Sequence, residues 1–220
     1  LFDESLKLLL AGKAFDNFLM MRDFGVLKQL LPQVHKVLKQ DSDGKVLNLI
    51  TTALQDTDER VALDKPVTPA YVYAALLWYP VELRMQTLLI ESGLNDIDAL
   101  NIAMTEILDD VCRQIGIPKR FTLSIRDLWS LQGRLTKRAG RRAFKLMEQP
   151  KFRGAYDFLQ LRGKAEGGAT AEMAFWWQRF VDADDEGREE LVLGLGKEGI
   201  EKARPKRRRR APKKKTDPAV

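Results

Sequence analysis

The sequence predicts an all-α protein, a multi-helix bundle followed by a charged tail. Apolar residues recur at spacings of three and four nearly throughout. No run alternates apolar and polar residues between turn signals for long enough to suggest a sheet. With 220 residues, 45% of them hydrophobic, the chain can bury a real core, as one large domain or two small ones.

The elements follow from local signals. Asp3 is a candidate cap for a first helix carrying Leu6, Leu9 and Leu10, and Gly12 ends it. A second runs from about Lys13 to Phe24 and stops at Gly25; Val26 to Leu31 is a short turn of helix. Pro32 forces a new first turn before Val34, Val37 and Leu38, and Asp41 to Gly44 is a polar loop. Leu47, Ile50, Thr51 and Leu54 share a helix face that continues to about Leu63. Thr68 and Pro69 form an N-cap and first helical position for Ala70 to Tyr79, a helix apolar nearly all round and so expected at the bundle's centre. Pro80 separates it from a helix ending near Gly93. Asn95 or Asp96 caps a longer helix with Ile97, Leu100, Met104, Ile107, Leu108, Val111 and Ile115 inward, closed by Gly116-Ile117-Pro118. Helices from about Thr122 to Lys137, around Arg138 to Met147, from Pro150 onward, and through Trp176-Trp177 complete the set.

Charge is sorted into blocks. Residues 1–116 carry a net charge of −6, 117–164 of +10, 165–196 of −6 and 197–220 of +8, although the whole chain is only +6. Local density sets a phosphate-neutralising footprint, so the partner expected is a polyanion, nucleic acid first. The functional boundary falls at about residue 116, where the sign changes.

The block at 117–164 is organised as well as dense. Arg126, Ser130, Arg134 and Lys137 fall on one helix face, with Ile125, Leu128, Trp129 and Leu135 on the others. Arg138, Arg141, Arg142 and Lys145 follow at i, i+3, i+4 and i+7, opposite Ala143, Phe144 and Met147. Cations stacked on one face repel, and no acid stands at i±4 to relieve them, so this face is expected to meet phosphates rather than only water. Lys119 and Arg120 precede a helix start, where free N–H groups favour a phosphate. Lys151 and Arg153 flank Phe152, whose stripe with Tyr156 and Leu159 is more often core than a base-stacking platform. From Arg204 the chain reads RPKRRRRAPKKK, a disordered arm offering Arg204, Lys206, Arg207, Arg208, Arg209, Arg210, Lys213, Lys214 and Lys215 to RNA; a nuclear import signal and an anionic-membrane patch are the competing readings.

Other motifs are weak. Gly194 to Gly199 spells GxGxxG but follows no strand. Asp109 and Asp110 point apart, and His35 has no Cys or carboxylate cluster near it, so no metal site is expected. Trp176 and Trp177 fit a docking role and Cys112 a small core residue. A single cysteine, no signal peptide and a longest uncharged run (Pro66 to Val81) too short to span a bilayer lead to an expectation of a cytoplasmic protein with no transmembrane segment. The opening at Leu1, straight into a helical pattern, leads to the expectation of a piece of a longer polypeptide.

The runs IPKR (117–120), RDLWSLQGRL (126–135) and GRRAFKLMEQPKFRGAYDFLQLR (140–162), with the arginine-rich end, resemble the C-terminal half of the bacterial poly(A) polymerase family, class II nucleotidyltransferases related to CCA-adding tRNA nucleotidyltransferases. LFDESLKLLLAGKAF (1–15) and TPAYVYAALLWYP (68–80) resemble the same family just after its catalytic head and neck. The resemblance implies a helical bundle of that C-terminal type, with a neck and body region at 1–116, a basic RNA-binding region at 117–184 and an acidic-then-basic disordered tail at 185–220. It implies untemplated addition of adenylates from ATP to single-stranded RNA 3′ ends, in mRNA processing and decay, with ATP and Mg²⁺ held by a head whose carboxylates have no match here. This chain alone is then not expected to catalyse, and its partners would be RNA, the head of the same polypeptide and RNA-decay proteins. The family keeps basic the positions of Lys119, Arg120, Arg126, Arg134, Arg141, Arg142, Lys151 and Arg153. The alternative is a helical protein-interaction scaffold whose basic face meets an acidic or RNA-decay partner; duplex DNA is weaker, since no helix-turn-helix is poised to read base edges.

Overall fold

The first helix, α1 (Phe2–Leu9), begins one residue earlier than its expected cap: Leu1 holds the N-cap position, and Asp3 stands in the first turn, where its charge suits the helix dipole. The structure, a computed structural model, describes residues 1–203, with side chains described through residue 195. These residues form helices and no strand. After α1 come α2 (Ala14–Asp23), α3 (Val26–Leu30), α4 (Pro32–Lys39), α5 (Lys45–Ala62), α6 (Pro69–Ser92), α7 (Asp96–Ile115), α8 (Lys119–Leu135), α9 (Arg142–Met147), α10 (Phe152–Glu166), α11 (Gly168–Asp182) and α12 (Asp185–Ala203).

Three helix starts are satisfied by side-chain oxygens near and distant in sequence. The N–H groups of Ile97 and Asp98 both donate to Asn95 Oδ1, as its sequence position suggests. The start of α5 donates from Val46 and Leu47 to Asp41, and that of α2 from Ala14 and Phe15 to Asp58, a carboxylate forty-four residues from Ala14. The last pairing ties α2 to α5 and has no local sequence signature.

The central helix differs from expectation. Pro80 does not divide it: α6 runs through from Pro69 to Ser92. A proline inside a helix removes one ladder bond and costs about 3 kcal/mol. Here both halves are held by burial, from Val72 to Trp78 on one side and Val81 and Leu88 on the other, against α4, α5, α7 and α8. Each fully buried apolar side chain contributes roughly 1.5–3 kcal/mol, so continuation wins.

Two apolar clusters fill the bundle. The first draws on α1 to α8 and on Phe158, Leu161 and Ala165 of α10, continuing across residue 116 where the charge changes sign. The second joins Leu131 and Leu135 of α8 to α9, the outer face of α10 and Trp176, Trp177 and Phe180 of α11. Phe152, Tyr156 and Leu159 are core, and Trp177 docks α11 by donating from Nε1 to the Leu135 carbonyl at 2.9 Å. Trp129, fully buried, donates likewise to Ala74 of α6. Helices α8 and α10 thus pin the clusters together.

Ile97 was expected inward but is exposed, the inner side of α7 being taken by Ala99, Ala103 and Met104. Residues 185–203 form α12 where a disordered tail was expected; Leu191, Val192 and Leu195 pack against the second cluster, and Arg188 donates to the Phe180 and Val181 carbonyls. The GxGxxG spelling begins inside this helix, with no strand before it.

Candidate nucleic-acid interface

Lys119 and Arg120 lie in the first turn of α8, not before it, because Pro118 supplies the N-cap. Both are exposed at the positive end of the helix. The Arg120 guanidinium sits 4.7 Å from the Phe121 ring centroid, and that ring packs on Phe2 at 5.4 Å. This end of α8 therefore stands beside α1.

The middle of α8 is turned toward α7. Arg126 Nη1 donates to Thr105 Oγ1 at 2.9 Å, while Ile125, Leu128 and Trp129 are buried, as their spacing predicts. Arg134, at the far end, is exposed and donates to Gln149 Oε1 at 3.0 Å. With a rise of 1.5 Å per residue, the two ends of α8 are about 24 Å apart.

The next segment corrects a sequence expectation. The four cations from Arg138 to Lys145 do not share one helix face, because the chain turns at Ala139 to Arg141 with Gly140 at φ +62°, a left-handed conformation that suits glycine. Helix α9 starts only at Arg142 and is anchored by Ala143 and Leu146. Arg138 is half-buried, its guanidinium 5.1 Å from a Trp176 ring centroid. Lys137 lies past the last turn of α8.

The turn nevertheless gathers charge. Arg134, Lys137, Arg141, Arg142 and Lys145 are all exposed, and among the described residues none of them pairs with a carboxylate. Glu148 is the one acid in the stretch from Arg134 to Pro150. Five cations without a carboxylate partner among the described residues, spread from the end of α8 through one turn to a short helix, repel one another, and a phosphate bound there would relieve that repulsion with charge-assisted hydrogen bonds.

The remaining predicted cations are engaged. Lys151 lies 3.7 Å from Asp127, and Arg153 pairs with Asp157 at 3.1 Å over the Tyr156 ring. Arg162 counts toward the basic block in sequence, yet is 9% exposed. It makes a forked pair with Glu166 at 2.7 and 3.0 Å, reaches Glu82 at 3.7 Å and lies over Trp78 at 4.2 Å. It holds helices together rather than facing a ligand. Arg60 and Lys164, which the sequence reading left aside, stand on a cleft beside Arg153; the signal available for Lys164 was its helical spacing from Arg153, Asp157 and Gln160.

The arm residues Arg204, Lys206, Arg207, Arg208, Arg209, Arg210, Lys213, Lys214 and Lys215 lie outside the described residues. Among the described residues no group of three or more His, Cys, Asp or Glu converges to hold a metal ion, and no helix is long and apolar enough to cross a membrane.

Comparison with known proteins agrees with this layout. A family model described as the polymerase A arginine-rich C-terminus matches residues 92–215, and one described as the probable RNA- and SrmB-binding site of polymerase A matches residues 1–38. The chain is 42% identical over 192 residues to poly(A) polymerase I of Haemophilus influenzae, covering 87% of this chain and 42% of that protein. It is 39% identical over 216 residues to poly(A) polymerase I of Salmonella typhi and of Escherichia coli O6:H1, covering 97% of this chain and 45% of each. The chain thus spans a little under half the length of these relatives. With its helices, its basic turn and its arginine-rich end all inside the matched residues, the chain belongs to the poly(A) polymerase family, in the region of its arginine-rich C-terminus.

Proposed function

We propose that this chain is the RNA-holding part of an enzyme that adds adenylates to RNA 3′ ends, with the chemistry in a catalytic head of the same polypeptide. The carrying observation is the cluster of Arg134, Lys137, Arg141, Arg142 and Lys145, exposed and without carboxylate partners among the described residues. The family match to an RNA-binding segment at residues 1–38 supports a second contact near Lys119 and Arg120, which α8 sets beside α1. ATP and Mg²⁺ would supply the adenylate and neutralise its phosphates at the head. The residues here bind and position the strand.

Contacts of this kind neutralise phosphates and read no base edge, so binding is tight at low salt and nearly indifferent to sequence. We place the protein in the cytoplasm, on RNAs being processed or degraded. A second reading, a scaffold for an RNA-decay protein, is favoured by Met20, Phe24 and Val26, exposed together at the corner of α2 and α3.

Charge reversal decides between them. In Arg141→Glu/Arg142→Glu, fluorescence anisotropy with single-stranded RNA oligomers of several sequences is expected to show roughly tenfold or greater loss for all of them, with the salt slope reduced by about one to two. RNA affinity unchanged by this reversal, with a protein partner lost in Phe24→Asp, would establish the scaffold instead.

A further inference from the structure

A second basic feature lies away from the turn. A cleft of about 420 Å³ opens between α5, the connection into α6 and one face of α10. Arg153, Asp157, Leu161 and Lys164 of α10 line it at spacings of four, four and three, so they form one stripe along the helix. From Arg153 to Lys164 that stripe is about 16 Å long. Pro66, Tyr71 and Val72 make the opposite wall, and Arg60 stands at its rim, donating to the Pro66 carbonyl at 2.9 and 3.1 Å.

The cleft has the make-up of a ligand site: an apolar and aromatic lining with charge at the mouth, in the size range that takes one small organic group. Its fixed part is rigid. Tyr71 donates from its hydroxyl to the Asp157 carbonyl at 3.1 Å and meets Phe158 edge-on at 6.0 Å, so its ring is held by α10. Its cations are loosely held. Arg153 pairs with Asp157 and Lys164 with Asp56 at 3.6 Å, but the two cationic side chains are 75% and 64% exposed. Pairs this exposed contribute little and exchange readily for a phosphate.

The chain itself links the basic turn to the cleft. Arg134 bonds to Gln149, Lys151 follows two residues later, and Arg153 is the first cation on the cleft.

We propose that this cleft seats one unpaired nucleotide of the bound RNA, its base against Tyr71 and its flanking phosphates on Arg153 and Lys164. The proposal rests on the RNA-holding reading above and adds a defined subsite to it. Stacking on an aromatic wall tolerates any base, so the subsite adds affinity and register without sequence preference.

The test uses the full chain and a single-stranded RNA carrying one 2-aminopurine, titrated by fluorescence and anisotropy. Expected are a change of 2-aminopurine emission on binding, its loss in Tyr71→Leu, and affinity about fivefold or more weaker in Lys164→Glu with a salt slope lower by about one. Lys164 is a surface residue, so Lys164→Glu keeps the test independent of folding if Tyr71→Leu proves unstable. Unchanged affinity and emission in Lys164→Glu, beside weakened binding in Arg141→Glu/Arg142→Glu, would overturn the subsite and leave the RNA-holding reading standing. Emission reversed by excess AMP while anisotropy stays high would support the strand's base as the occupant, whereas emission that does not change on binding would overturn it. If neither variant weakens RNA binding, the RNA-holding reading fails and the subsite with it.

Discussion

Gly163 sits where α10 and α11 come closest. A Cβ placed there would lie 2.7 Å from Ala174 Cβ and 3.3 Å from the Ala171 Cα, and a backbone atom cannot swing aside. Gly163→Val is therefore expected to destabilise the fold by about 1–3 kcal/mol or more, read as a lower urea midpoint, by forcing the two helices apart. Sequence reasoning at this scale succeeds for apolar residues and fails for arginines. Ile125, Trp129, Tyr156 and Trp177 are buried where their spacing puts them, because burial of carbon follows helical period. Arg162 and Arg141 look alike in composition, and only the first is sealed in the core. The difference is made by Glu82, eighty residues away, and by the Trp78 face beneath the guanidinium, neither of which a local window contains.

Four helices meet at that arginine. Glu82 comes from α6, Gln132 from α8, Arg162 and Glu166 from α10, and Thr170 of α11 donates to Glu166 at 2.9 Å. Burial pushes the Glu82 carboxyl up to about 6; Arg162 pulls against that rise and Glu166 adds to it. The folded state consequently holds a proton that the unfolded chain, at its ordinary 4.5, has released. Between about pH 4.5 and 6 the folded protein binds more protons, so this group makes stability fall as pH rises through that window. Glu82→Gln removes the titration, and urea melts at pH 4 and pH 8 should show the variant gaining on the parent at pH 8. Element boundaries were legible where a cap or glycine marks them, as at Asn95 and Gly116. They were misread where packing overrides the local rule: at Pro80, where burial carries α6 onward, and at residues 138–145, where periodic cations suggested a helix and Gly140 breaks it. The basic surface survives that misreading, since a turn and a short helix crowd Arg141, Arg142 and Lys145 together about as well as one helix would.

For the molecule as a whole, the question is how the folded surface and the arm share the work. Lys197 to Val220 hold eleven of the thirty-seven cations, and the exposed turn holds five. A chain cut after Gly196 is expected to bind single-stranded RNA still, with weaker affinity and a shallower salt dependence than the full 220 residues in a side-by-side anisotropy titration. Complete loss on removing the arm would mean that the helices serve a different partner. The blockwise charge made the whole-molecule reading possible from sequence, although folding brings flank acids onto part of the block, Asp56 to Lys164 and Glu82 and Glu166 to Arg162, and leaves the cations of the turn without carboxylate partners among the described residues.

The rod between the two ends of α8 sets one further property. Lys119 and Arg120 at one end and the basic turn at the other are held about 24 Å apart by a helix whose middle is buried in both cores. On the RNA-holding reading proposed above, a strand bound at one end would meet the other at an effective concentration fixed by that distance, so the second engagement would be intramolecular. A strand too short to bridge that gap gains nothing from the second end, however highly charged it is.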